Sequence, residues 1–101
     1  MRHAVLGLLC AWVLWEQFDR LPPSPYQLGS VWSLMMAHET RAGCQEALAA
    51  AVTAQRAQRL RRHVKTSDSM VSEATSDRWT EYTTWRYHCY PDTLDPRGPT
   101  R

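Results

Sequence analysis

The sequence predicts an α+β fold: a small antiparallel sheet in β-β-α-β-β order, with one long helix packed on one face and one disulfide. Three observations predict it. Residues 79–89 alternate at the period of a strand and end at Cys89; residues 41–65 are rich in alanine; and Leu21-Pro22-Pro23-Ser24-Pro25 breaks an apolar N-terminal run from the rest. A chain of 101 residues supports one small domain. Twelve basic and ten acidic side chains nearly balance, so no global field marks a polyanionic partner.

The N-terminus reads as a targeting segment. Met1-Arg2-His3 is a short basic start, and Ala4 to Trp15 is an uninterrupted apolar run ending at Glu16. That is the length of a signal-peptide core and too short for a bilayer-spanning helix, which takes roughly 20 residues. Residues 1–15 are therefore expected to be a signal peptide or an N-terminal apolar segment, followed by one α+β domain over 16–90 and a Pro-rich tail over 91–101. No small-x-small cleavage site follows the run; Gly7 and Ala11 lie inside it. A start codon assigned too far downstream accounts for this, with a first strand at 11–18. The competing reading makes the run a buried strand or helix of a cytosolic domain. Cys10 could alternatively carry a lipid, although Leu9 stands where a small residue is expected.

After the proline breaker, Gln27 to His38 reads as a strand, with Trp32, Leu34 and Met36 on one face and Val31, Ser33 and Met35 on the other. Thr40 is placed to cap a helix. From Arg41 to Lys65 the composition is helical, and its buried stripe falls at Cys44, Leu48, Ala51 and Gln55, flanked by Ala47 and Val52. Thr66-Ser67-Asp68-Ser69 ends that helix as a polar loop. Ser69 to Thr75 alternates weakly, and Ser76-Asp77 is a turn. In the last strand Trp79, Thr83, Trp85, Tyr87 and Cys89 share one face, with Thr80, Tyr82, Thr84, Arg86 and His88 on the other.

Cys44 projects from the helix face that packs and Cys89 from the strand face that carries Trp85 and Tyr87. These faces meet in a single core, so a Cys44–Cys89 disulfide is expected. The odd third cysteine, Cys10, falls in the apolar leader. A zinc set from Cys44, Cys89, His88 and His38 or His63 lacks any C-x-x-C or H-x-x-x-H pair to seed it, and a nucleophilic cysteine lacks partners. No metal, cofactor or catalytic constellation is expected.

Arg56, Arg59, Arg61, Arg62 and Lys65 form the one dense cationic run. It is a candidate patch for nucleic acid or anionic lipid, set against a solvated helix end favoured by the helix dipole. At helical spacing these positions spread around much of the circumference. Asp92 and Asp95 lack a calcium-loop pattern and read as turn formers. The five tryptophans, half of the aromatic content, are expected to be mostly core, with Trp15 and Trp79 available to a protein partner. Asp92, Asp95 and Arg97 complete the candidate interaction residues.

Thr40-Arg41-Ala42-Gly43-Cys44, the alanine-rich helix, Trp12-Val13-Leu14-Trp15 and the ending Cys89-Tyr90-Pro91-Asp92-Thr93-Leu94-Asp95-Pro96-Arg97-Gly98-Pro99 carry a resemblance over nearly the whole chain. The chain resembles a group of small exported bacterial proteins. These pair a signal peptide and a W-x-L-W first strand with a helix cysteine and a C-x-P-D-T-x-D-P-R-G-P ending. The resemblance implies export and the cysteine pair, and brings no activity or functional residue with it. The functional expectation is a disulfide-stapled, non-catalytic binding module of the bacterial envelope, periplasmic or envelope-associated, whose partner could be another envelope protein. Contact with a membrane would come only through an uncleaved or lipidated N-terminus. The alternative is a cytosolic protein that binds nucleic acid through Arg56 to Lys65.

Overall fold

A computed structural model describes residues 11–22, 30–59 and 63–98. They form β1 (Trp12–Leu21), β2 (Val31–His38), α1 (Arg41–Ala57), β3 (Val64–Thr66), β4 (Met70–Ala74) and β5 (Tyr82–Pro91). The five strands make one antiparallel sheet in the order β2-β1-β5-β4-β3, and α1 crosses one face.

β1 is an interior strand, paired with β2 on one side and β5 on the other. Its sequence suits that place. Val13, Leu14 and Trp15 are consecutive, apolar and all buried, as a strand covered on both faces requires. Leu14 faces the helix, where it forms the core with Cys44, Leu48 and Tyr87; Trp12, Ala47, Ala51, Val52, Trp85 and Cys89 pack around it. Trp15 is buried on the opposite face. The folded unit thus takes in Trp12 to Trp15, ahead of a boundary at residue 16, while residues 1–10 lie outside the described residues.

The helix begins as its sequence predicts. Thr40 has extended backbone (φ −126°, ψ 155°), and its hydroxyl accepts from Gly43 N at 3.0 Å. A side chain at position 43 would press a Cβ to 3.1 Å from that same oxygen, so the bare glycine leaves room for the cap. The stripe from Cys44 through Leu48 to Gln55 faces the sheet, and Cys44 and Leu48 are its fully buried members. A disulfide joins Cys44 to Cys89, with Cα atoms 6.0 Å apart and a sequence separation of 45.

Four expectations change. The helix stops at Ala57, not Lys65. Val64 to Thr66 is a short strand, turned back on β4 through Ser67 N donating to Met70 O at 2.9 Å, which makes the order β-β-α-β-β-β. The alanines that favour helix end at 57, and β-branched Val64 and Thr66 suit the sheet. Trp79, Thr80 and Glu81 precede β5, with Trp79 at φ 57°, so the alternating strand begins at Tyr82. In β2, Leu14 pairs with Met36 but Trp15 with Leu34. Met35 is therefore a bulge residue, and Met36 shares the helix side rather than the face of Trp32 and Leu34. Finally, the ladder to β1 continues through Pro91, opposite Trp12, so residues 91–98 belong to the fold.

The core also holds a polar line. Tyr87 Oη donates to Glu16 Oε2 and accepts from Gln55 Nε2, each at 2.9 Å. Burial, first of all, pushes the phenol up to about 12; the Gln55 bond pulls it down and the bond and charge of Glu16 raise it. The folded phenol therefore resists ionisation that the unfolded chain undergoes near 10. Stability from this group is complete below pH 10 and is lost as pH rises from there through about 12. Urea midpoints measured across that interval should fall for the native chain and fall less for Tyr87→Phe. Removing the disulfide by Cys44→Ala with Cys89→Ala should cost about 4 kcal/mol on loop-entropy grounds, read as a lower urea midpoint by tryptophan fluorescence.

Candidate recognition surface

The sheet face turned away from α1 carries the chemistry. Alternation along β1 places Val13, Trp15, Gln17 and Asp19 there; β5 adds Arg86, His88 and Tyr90, and β2 adds Trp32. Four rings gather at one end. His88 and Tyr90 stack with centroids 5.3 Å apart and planes 8° from parallel. Trp32 lies 5.3 Å from His88 and 6.5 Å from Tyr90, and Trp15 meets the edge of Trp32 at 6.4 Å. Cross-strand neighbours make this contact because the sheet brings same-face side chains within reach of one another.

A chain of hydrogen bonds runs from these rings along the face. Ser30 Oγ donates to Asp19 Oδ1 at 2.6 Å, and Gln17 Nε2 donates to Ser30 Oγ at 2.9 Å. The Gln17 carbonyl is left to accept from His88 Nε2 at 2.9 Å, which makes that nitrogen the protonated one. Arg86 Nη1 closes the chain on Asp19 Oδ2 at 3.3 Å. Burial, and then the charge of Arg86, holds His88 below the ordinary imidazole value. At neutral pH it is an uncharged donor already committed to Gln17.

The tail closes the ring-bearing end. Asp92 N donates to Ala11 O at 2.9 Å, which ties the chain to the start of β1. Turns follow through Leu94 N to Pro91 O at 2.9 Å and Gly98 N to Asp95 O at 3.1 Å. Gly98 has φ 105°, a conformation that favours glycine. Asp95 accepts from Arg97 three times: at its backbone N and Nε (both 2.9 Å) and at Nη2 (2.8 Å). The clamped guanidinium lies 5.1 Å from the centre of the Trp15 ring. The forked donors of arginine fit a carboxylate, and its flat cation fits an indole.

Of the candidate interaction residues, then, Asp95, Arg97 and Trp15 come together, although Trp15 is only 3% exposed and acts as a floor beneath Arg97. The Asp92 side chain is exposed beside them. Trp79 lies at the other end of the sheet, 5.6 Å from Tyr82 and under the ammonium of Lys65 at 4.3 Å. With Met70 and Arg86 they line a hollow of about 290 Å³ above the buried Ser72–Thr84 hydroxyl pair. A cleft of about 420 Å³ beyond it, lined by Arg20, Glu73, Glu81 and Tyr82, is remote from the tail. Among the described residues the basic run does not form one surface, and Arg61 lies outside them. Arg59 turns inward over Trp85 at 4.3 Å and pairs with Glu73 at 3.5 Å, Arg56 points to solvent, Lys65 covers Trp79, and Arg62 lies outside the described residues. Among the described residues no group of three His, Cys, Asp or Glu side chains could hold a metal ion, and no helix is long and apolar enough to cross a membrane.

Comparison with protein-family models, curated proteins and solved structures finds no match to this chain. Sequence reasoning missed the hydrogen-bonded chain from His88 to Arg86, since its members lie on three separate stretches that only strand pairing aligns. The Asp-Pro-Arg-Gly order of the tail was the one signal that pointed here.

Hydrogen bonds from Arg97 hold the Asp95 carboxyl down at about 2. A lowered carboxyl keeps the clamp whole above the ordinary carboxylate range, and the clamp is lost only as pH falls through about 2. A carboxyl-carbon NMR titration should place the Asp95 midpoint there. Arg97→Ala should return it to the ordinary value near 3.8 and shift the Trp15 emission as its cover leaves.

Proposed function

We propose that this chain is a small exported protein, a disulfide-stapled interaction module of the bacterial envelope that carries out no reaction of its own. The Cys44–Cys89 bond is the observation that carries the reading. Cys44 is fully enclosed, and such a bond persists where the surroundings are oxidising. The tail-covered face supports binding over catalysis: its rings are fixed against one another, its guanidinium is clamped, and its imidazole is neutral and hydrogen-bonded. The partner proposed is another envelope protein, met through Arg97 and the half-buried Trp32, His88 and Tyr90. Membrane attachment, on this reading, would come only through an uncleaved or lipidated N-terminus. The nucleic-acid reading has less support, because Arg59 and Lys65 each cover a different tryptophan.

Fractionation with thiol counting tests this. The full chain, expressed in a bacterium, should appear in the periplasmic or envelope fraction, migrate faster on a non-reducing gel, and show Cys44 and Cys89 blocked to alkylation. A cytoplasmic protein with both thiols free and salt-sensitive retention on heparin would replace this reading with the nucleic-acid one.

A further inference from the structure

The two edges of the sheet are unlike. β3 is three residues long and carries Lys65, two devices that blunt an edge against pairing. β2 at the other edge runs eight residues, Val31–His38, and has no Lys, Arg, Asp or Glu. The charge-free stretch is longer than the strand. Between Arg20 and Glu39 there is no such residue, although 22% of the chain is charged. Four large apolar side chains of β2 stand in solvent: Val31 at 47%, Leu34 at 59%, Met35 at 44% and Met36 at 49%. The bulge at Met35 bends the strand without adding a charge or a proline.

From this contrast we infer that β2 is a self-association edge, at which a second copy of this chain adds its own β2 in antiparallel pairing to make a ten-stranded sheet across a twofold axis. Leu34 stands on one face of the sheet, while Val31 and Met36 stand on the other. A partner laid on either face would cover only part of this set; a strand added in the plane gives every member a cross-strand neighbour. It also pairs the outward backbone N–H and C=O groups that an edge strand presents. A second copy fits because antiparallel pairing of a strand with itself is self-complementary, and an uncharged strand opposes no like charges when it meets its own sequence. The edge strand alone gives an interface at the small end of specific contacts, so the association is reversible. The inference does not depend on the compartment or on what binds the opposite end of the face.

Sedimentation equilibrium of the full-length, disulfide-intact chain should show a reversible monomer–dimer equilibrium. Leu34→Lys with Met36→Lys should abolish the dimer and leave near-ultraviolet circular dichroism unchanged, since both side chains are exposed in the monomer. Leu94→Lys, an exposed apolar position outside β2, should leave association intact. Should the double variant misfold, amide exchange of the unmodified chain decides instead: β2 amides must slow as concentration rises, while β3 amides must not. A monomer at every concentration up to the solubility limit, a dimer that survives both lysines in folded protein, or β2 amides insensitive to concentration would each overturn the assignment.

Discussion

The bond between Cys44 and Cys89 is the constraint on which the rest depends. It joins the one helix to β5, and β5 is the strand that sits between β1 and β4 in the centre of the sheet. The helix fully buries only two residues of its own, Cys44 and Leu48; the rest of its packing face is Ala47, Ala51, Val52 and Gln55, small or half-buried. Burying one leucine contributes about 1.5–3 kcal/mol, whereas closing a loop of this length contributes about 4 kcal/mol. The covalent link therefore outweighs any single packing contact that holds the helix down. Fold and redox state are coupled by this arrangement, because the chain reaches its full stability only where these thiols are oxidised.

A sheet with one helix still has a second face to protect, and here β1 sets the problem. Its Val13 and Trp15 are buried on the side the helix cannot reach. Cover comes from three directions: Trp32 from β2, His88 and Tyr90 from β5, and Arg97 from the returning tail. The tail adds no large buried side chain; its one large apolar residue, Leu94, is 45% exposed. What it supplies is a cation held flat by Asp95 over an indole that would otherwise be wet. Proline ends the strand at 91, the turns reverse the chain, and Gly98 supplies the left-handed residue that completes them. The same feature that shields Trp15 sets a fixed, charged rim beside the half-buried rings of Trp32, His88 and Tyr90.

The parts legible in the sequence were those with a local period. The helix stripe, the Thr40 cap, the strand faces around Tyr87 and Cys89, and hence the disulfide, all follow from spacing along one element. What spacing could not supply was pairing. A bulge at Met35 depends on how β2 meets β1, and it reversed the facing of Met36. The helix end was misplaced because Arg56 to Lys65 is compatible with helix by propensity, while β4 was too weakly patterned to announce that Val64 had a strand to join. The Gln17–Ser30–Asp19 chain was invisible for a similar reason: polar residues at these positions look like ordinary solvated side chains until register aligns them.

The charge and tryptophan content, odd in isolation, has one physical explanation. Four of the five tryptophans carry a cation over the ring: Arg41 on Trp12 at 5.6 Å, Arg97 on Trp15 at 5.1 Å, and Lys65 on Trp79 and Arg59 on Trp85, both at 4.3 Å. The fifth, Trp32, lies against His88 and Tyr90 instead. Each pair contributes about 0.5–1 kcal/mol where it is exposed, and the stems of these side chains also cover apolar surface. In a domain with so small a core, indoles at its margins would remain half wet if only aliphatic neighbours were available. Long cationic side chains shield such rings while keeping their charge in water. Four of the twelve basic residues are thereby placed one to a ring around the sheet. Two members of the cationic run, Arg59 and Lys65, are in three dimensions roofs over Trp85 and Trp79.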